Sequence, residues 1–212
     1  MEVPRIGHER FDSQGLDIVV INLGHRPDRL KEFNSNRLKG LPDYQRFPAV
    51  YVQEKDYTFG HPIDRKTYGC YESHRRIWEN ITRNTLILED DAKLVRDYHI
   101  PPLPKDFDLY YLGCNYKLFG AKSGPRRGHL NQGSQRVYVH EARQVLTTHA
   151  YIISPKGAEK ALVIEPYQEA VDVALWQVQK EGYSYYLKPS LFVQRAGHSD
   201  IHGRYINFEG IT

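Results

Sequence analysis

Asp17-Ile18-Val19-Val20-Ile21-Asn22-Leu23 is an almost wholly apolar run with a polar residue near its end. Such a run suits a strand covered on both faces, as in a parallel sheet. Pro27 follows where the first turn of a helix accepts it, and Leu30, Phe33 and Leu38 keep helical spacing up to Gly40. A second strand is expected over residues 44–50, although Pro48 weakens it, and residues 53–67 read as a polar loop. Tyr71, His74, Trp78 and Ile81 share one face of a helix predicted over residues 69–82. The buried strand Thr85-Leu86-Ile87-Leu88 then ends abruptly in Glu89-Asp90-Asp91. Further strands are predicted at 109–112, 137–139, 146–154 and 183–187. Ser154-Pro155 caps a helix, and an amphipathic helix over 167–180 is closed by Gly182. Strands alternate with helices, so the class is α/β.

The chain has 212 residues, 40 % of them hydrophobic, which suits one α/β domain with a sizeable core. Residues 1–16 read as a polar N-terminal arm, and 17–212 as the domain. The net charge of +3 is mild and no basic helix stands out, which argues against nucleic-acid binding. Much of the basicity is local. Residues 117–143 hold six basic side chains against Glu141 alone, with glycines at 120, 124, 128 and 133. Residues 117–136 within it read as a flexible basic loop, with a plain surface loop as the alternative. Two cysteines, Cys70 and Cys114, make no disulfide framework and read as reduced thiols. No apolar run reaches the length of a membrane span and the first ten residues lack the apolar stretch of a signal peptide, so the expected location is cytoplasmic, free or peripheral to a membrane.

In open α/β sheets ligands bind beyond the carboxyl ends of strands. Glu89-Asp90-Asp91 stands at such an end, and adjacent carboxylates there favour a hard divalent cation such as Mg²⁺ or Mn²⁺. The alternative is a solvated acidic turn. Arg26 and Arg29, just after Asn22-Leu23, begin a helix where guanidinium groups and backbone amides suit a phosphate. Ser73 and His74 are placed to meet a ribose or phosphate; the alternative is a buried, hydrogen-bonded histidine.

Taken in order, these segments resemble glycosyltransferase family 25, the lipopolysaccharide-synthesis and procollagen galactosyltransferases. The resemblance rests on Val20-Ile21-Asn22-Leu23 with Arg26-Pro27-Asp28-Arg29-Leu30, on Gly69-Cys70 with Ser73-His74, and on Leu86-Ile87-Leu88-Glu89-Asp90-Asp91-Ala92. It continues through residues 108–113, Ala150-Tyr151-Ile152-Ile153-Ser154 with Gly157-Ala158, Val171-Asp172, and Ser199-Asp200-Ile201. It implies a single GT-A-like nucleotide-sugar-binding domain whose central sheet is mixed, mostly parallel and flanked by helices. It also implies a UDP-sugar donor (UDP-galactose or UDP-glucose), Mn²⁺ or Mg²⁺ as cofactor, a glycan, lipopolysaccharide-like or glycoprotein acceptor, and inversion at the anomeric carbon. Glu89 and Asp91 take the outer positions of a DxD-type motif and His198 completes the metal set. Asn22, Leu23, Arg26, Arg29, Ser73, His74 and Asp90 form the donor site. Asp172 matches the family's acidic position and is the expected base, with Glu169 and Asp200 in reserve; His202 flanks Asp200. A metal-dependent hydrolase of nucleotide-sugars or phosphoesters, and a non-catalytic nucleotide- or glycan-binding module, are the competing classes.

Overall fold

The computed structural model describes residues 15–57, 62–116, 122–132, 135–181, 183–201 and 203–207. Residues 1–14 of the arm, 58–61, 117–121, 133–134 and 208–212, with Gly182 and His202, lie outside the described residues. In chain order the elements are β1 (Asp17–Asn22), α1 (Pro27–Phe33) running into a 3-10 helix (Asn34–Lys39), β2 (Gln45–Pro48) and α2 (Arg65–Trp78). β3 (Thr85–Glu89), β4 (Ala92–Leu94), β5 (Leu109–Asn115), β6 (Lys122–Gln132), β7 (Gln135–Arg143) and β8 (Leu146–Ile153) follow. The chain continues through α3 (Pro155–Leu162), α4 (Val171–Ala174), α5 (Trp176–Glu181), β9 (Ser184–Lys188), β10 (Phe192–Gln194), β11 (Gly197–Ser199) and β12 (Arg204–Ile206).

Eight strands form one sheet in the order β2-β1-β3-β8-β5-β9-β7-β6, while β10 pairs with β4 and β11 with β12. The α/β class and the helix-flanked mixed sheet of a GT-A-like domain agree with expectation. Within the sheet only β1–β2, β1–β3 and β5–β9 pair in parallel, and the other four pairings are antiparallel. "Mostly parallel" therefore holds for the β2-β1-β3 end alone. Of the antiparallel pairs only β6–β7 is a hairpin of consecutive strands, while β3–β8, β5–β8 and β7–β9 bring together strands distant in the chain.

Alternation along each strand divides the core. Val19, Ile21, Ile87, Tyr151 and Ile153 face the layer of α2, α3 and α4, whereas Ile18, Val20, Leu86, Leu88 and Ile152 face the layer containing Phe33 of α1. β1 is flanked by β2 and β3, and the helices leading to them, α1 and α2, cover opposite faces. A crevice must therefore open where the carboxyl ends of β1 and β3 diverge.

Three local readings change. α2 starts at Arg65 rather than near residue 69, because Asp64 accepts hydrogen bonds from the amides of Lys66 and Thr67 and caps it. The basic stretch that reads as a flexible loop contains the long paired strands β6 and β7. In them Arg127 and Arg143 pair with Glu141. The amphipathic segment of 167–180 divides into α4 and α5 and begins at Val171. Cys70 and Cys114 are free thiols. Among the described residues no helix is long and apolar enough to cross a membrane.

Candidate active site

A cleft of about 780 Å³ opens at the crevice between β1 and β3. Its walls include every residue assigned above to donor, metal or base: Asn22, Leu23, Arg26, Arg29, Ser73, His74, Glu89, Asp90, Asp91, Asp172 and His198. Glu169 is exposed and does not line it. The basic hairpin β6–β7 does not line it either. Arg127, Gly128 and His129 face a separate groove with Lys105, Tyr183 and Tyr185. Among the described residues the Lys and Arg side chains of the main cleft are Arg26, Arg29, Arg65, Lys66 and Arg195, and none comes from the described part of 117–143.

The acidic triplet is split by strand parity. Glu89 continues the side of Ile87 towards α2, where its Oε1 lies 3.3 Å from His74 Nε2 and accepts a 2.6 Å hydrogen bond from Thr148 Oγ1. Burial works against the Glu89 charge, but His74 and Thr148 outweigh it and hold the carboxyl below its usual range. Asp90 turns the other way: its Oδ2 accepts from Asn22 Nδ2 at 2.7 Å and its Oδ1 lies 2.8 Å from Arg29. Burial pushes Asp90 up to about 6, against the pull of Arg29 and Asn22. Asp91 meets Arg29 at 3.2 Å and Gln194 Nε2 at 3.1 Å, while its Oδ1 is buried without a hydrogen-bond partner. Burial and the neighbouring Glu89 raise its pKa.

Arg29 also reaches Asp200 at 3.1 Å, and Arg26 bridges Asp28 and Asp200. Desolvation opposes the Arg29 charge, yet Asp91, Asp90 and Asp200 raise its pKa. Both arginines are thus balanced by carboxylates inside the cleft. Asn22 acts as a pin. It donates to the Arg26 carbonyl at 2.9 Å and to Asp90, and accepts from Arg46 at 2.9 Å.

Ser73 and His74 are enclosed, at 1 % and 0 % exposure. Ser73 Oγ donates to the Gly69 carbonyl and accepts from the Val50 amide, which fastens residues 49–52 to α2. Gly69 permits that approach, since a Cβ there would stand 2.6 Å from the Val50 carbonyl oxygen. Gly69→Ala should therefore lower stability by about 1–3 kcal/mol through overpacking, measured by chemical denaturation. His74 sits in a chain of donors. Trp78 Nε1, which can only donate, gives 2.9 Å to Tyr151 Oη, and Tyr151 Oη lies 2.9 Å from His74 Nδ1. The Tyr151 hydroxyl is free to donate to Nδ1, and in that tautomer Nε2 carries the proton facing Glu89. Tyr151→Phe strips a partner from two buried groups and should destabilise by about 1–3 kcal/mol, read as a lower denaturation midpoint.

Asp172 sits at the start of α4, with Oδ2 accepting from the Thr147 amide at 3.1 Å and Oδ1 from the Val173 amide at 3.0 Å. Burial raises its pKa against those two amides. It is no solvated helix carboxylate. Thr147 has φ 70°, unusual for a β-branched residue, and this breaks the alternation of β8. Thr148 is thereby turned to Glu89, while Thr147 Oγ1 meets His149 Nδ1 at 3.0 Å. Gly113 makes room, because a Cβ there would come within 2.4 Å of His149 Nε2 and of the Phe192 carbonyl. His198 lies exposed on β11 opposite Tyr205, apart from the tight cluster of Cys70, His74 and Glu89.

Thr148, His149, Gln194 and Arg195 carry no signal in the sequence reading, and Tyr151 appears there only within an apolar strand segment. They enter the site through the bulged β8 and through the segment after β9, whose Arg195 amide bonds the Asp91 carbonyl at 2.8 Å. Cys70 had a detectable signal in its four-residue spacing from His74 on one helix face.

Comparison with known proteins supports the resemblance drawn from the ordered motifs. Residues 16–101 match glycosyltransferase family 25 (LPS biosynthesis protein). The chain is 29 % identical over 189 residues to procollagen galactosyltransferase 1-B of Xenopus laevis, a match covering 74 % of this chain and 30 % of that protein. It is 25 % identical over 198 residues to procollagen galactosyltransferase 2 of Homo sapiens, with 76 % and 30 % covered. The chain spans about a third of the length of these curated relatives.

Proposed function

From the match of residues 16–101 to glycosyltransferase family 25, we propose that this chain is a hexosyltransferase. It moves galactose or glucose from a UDP-sugar to a hydroxyl of a glycan, lipopolysaccharide-like or glycoprotein acceptor, with inversion. The observation that carries the reading is the convergence, at one strand-end crevice, of Arg26 and Arg29, the split carboxylates 89–91, and Asp172. The carboxylates fit a divalent cation such as Mn²⁺ or Mg²⁺, because Asp91 Oδ1 is buried, unpartnered and an oxygen donor. Glu89 and Asp91 would hold the ion. When bound, it supplies electrophilic stabilisation of the departing diphosphate.

The chain's own residues do the remainder. Asn22 and Asp90 tie β1 to the turn after β3, fixing the crevice that receives the nucleotide. Arg26 and Arg29 exchange their Asp200 contacts for diphosphate oxygens, their fork geometry suiting either anion. His74 positions Glu89 and touches no donor. The Asp172 oxygens each accept one amide and retain a lone pair, so the carboxylate takes the acceptor hydroxyl's proton as that oxygen attacks the anomeric carbon.

A thermal-shift panel of nucleotide-sugars with Mn²⁺, followed by turnover with and without acceptor glycans, tests the reading. A shift that needs both a UDP-sugar and the ion, with acceptor-stimulated donor consumption, is expected. A flat panel, or hydrolysis indifferent to every acceptor, would overturn it.

A further inference from the structure

We propose that Cys70, His74 and Glu89 form a second kind of cation site in the cleft, selective for a thiophilic, zinc-class ion. The three donor atoms, Cys70 Sγ, a His74 ring nitrogen and a Glu89 carboxylate oxygen, lie within 4.8 Å of one another. Among the described residues this is the one group of three or more such donors drawn so close. Cys70 and His74 project from one face of α2 four residues apart, and Glu89 arrives from the end of β3.

The geometry already approaches that of a bound ion. Bonds of about 2.0–2.1 Å in a tetrahedral site place nitrogen and oxygen ligands roughly 3.4 Å apart. His74 Nε2 and Glu89 Oε1 stand at 3.3 Å. Nε2 is fully buried, makes no well-formed hydrogen bond, and points at that carboxylate. The surrounding contacts are those that orient ligands in metal centres: Tyr151 holds the other ring nitrogen and Thr148 holds Glu89. The fourth position faces the cleft, which Cys70, His74 and Glu89 all line.

Donor chemistry sets the selectivity. A thiolate and an imidazole beside one carboxylate favour zinc-class ions over Mg²⁺ or Mn²⁺. Without an ion, burial and the charges of Glu89, Asp172 and Asp91 keep the Cys70 thiol protonated, so it is a poor nucleophile. Binding balances as follows. The Sγ–H bond is replaced by a sulfur–metal bond, and that proton leaves to solvent. The His74 proton moves from Nε2 to Nδ1, which then donates a hydrogen bond to the second lone pair of Tyr151 Oη as the hydroxyl's own hydrogen rotates out of that contact. One proton is released per ion. Glu89 belongs also to the proposed donor-metal set, so a thiophilic ion here would compete with the hard one.

The site is independent of the transferase reading and is tested without turnover. Titrating the full chain with Co²⁺ alone should produce the intense near-ultraviolet absorption of a thiolate–cobalt bond together with the visible bands of a tetrahedral ion. Zn²⁺ should abolish both stoichiometrically and Mg²⁺ should leave them unchanged. Cys70→Ser should lose the near-ultraviolet absorption. As a check that needs no variant, the parent chain dialysed against Zn²⁺ in excess Mg²⁺ should retain one Zn²⁺ per chain and release one proton per ion bound, read by metal analysis and a pH indicator. Absence of the thiolate band at saturating Co²⁺, its persistence in Cys70→Ser, or no Zn²⁺ retained over Mg²⁺ would each overturn the assignment.

Discussion

Asp172→Asn should lower the transfer rate by about 10²–10⁴-fold, the usual contribution of a positioned general base, while donor and metal affinity stay within about twofold. The asparagine oxygen can still accept from one of the two amides that hold the carboxylate, Thr147 N or Val173 N. The amide has no basic lone pair for the acceptor proton. The separation matters, since a loss of donor affinity would mark Asp172 as part of the binding wall instead. The acid side of the pH–rate profile adds a second check. Burial raises the Asp172 pKa, so activity should fall away at a higher pH than an ordinary carboxylate would give, and this limb should vanish in the variant. Both readouts use steady-state kinetics on the full chain.

Asp91→Asn should remove the metal-dependent thermal shift and cut turnover by on the order of 10³-fold, consistent with several kcal/mol of lost charge stabilisation. Without an ion the same variant should melt higher than the parent at pH 7. Burial and Glu89 raise the Asp91 pKa, so at neutral pH the folded state carries an unfavourable charge that asparagine lacks. The sign for the parent follows from the same direction. Asp90, Asp91 and Asp172 all have raised folded pKa values, so the stability they contribute is full below the ordinary carboxylate range and is lost as pH rises through the folded values. For Asp90, pushed from 3.8 to about 6, the loss amounts to about 3 kcal/mol. Glu89, held below its usual range, acts in the opposite sense but only when the pH falls under that range. The metal-free parent should therefore be more stable at pH 5 than at pH 7, and Mn²⁺ should raise its midpoint more at pH 7. Equal midpoints at the two pH values without an ion would contradict the charge assignment.

What the chain discloses before folding is what lies along one strand or one helix turn. The apolar run through Ile21, the Leu86–Leu88 strand and the face of α2 could be read because each has its own period, and burial of that face decides the element. The cleft could be anticipated because carboxylates and arginines stood just past strand ends. The partnerships inside it could not. Adjacent residues Glu89 and Asp90 look equivalent as a string, yet parity sends one to His74 and the other to Asn22. Thr148 enters the site only because Thr147 adopts φ 70°, an irregularity decided by contacts across the sheet. The basic segment misled for a related reason. Glycine and arginine suggested a loop, but pairing with β9 and an internal ion pair, properties of the folded sheet, make it β6 and β7.

The short pairing of β10 with β4 has a temporal consequence. Through it, Gln194 and Arg195 reach Asp91 and Asp200 reaches Arg26 and Arg29, so one wall of the cleft is drawn from the last quarter of the chain while its floor is drawn from the first half. During synthesis the β2-β1-β3 unit and its carboxylates emerge long before residues 192–200 exist to cover them. Until then Asp90 and Asp91 have Asn22 and Arg29 as partners from the part of the chain already made, and the acidic crevice stays open to water. The site is finished by closure of a wall made late, and a ribosome halted before residue 192 would hold a sheet with half a cleft.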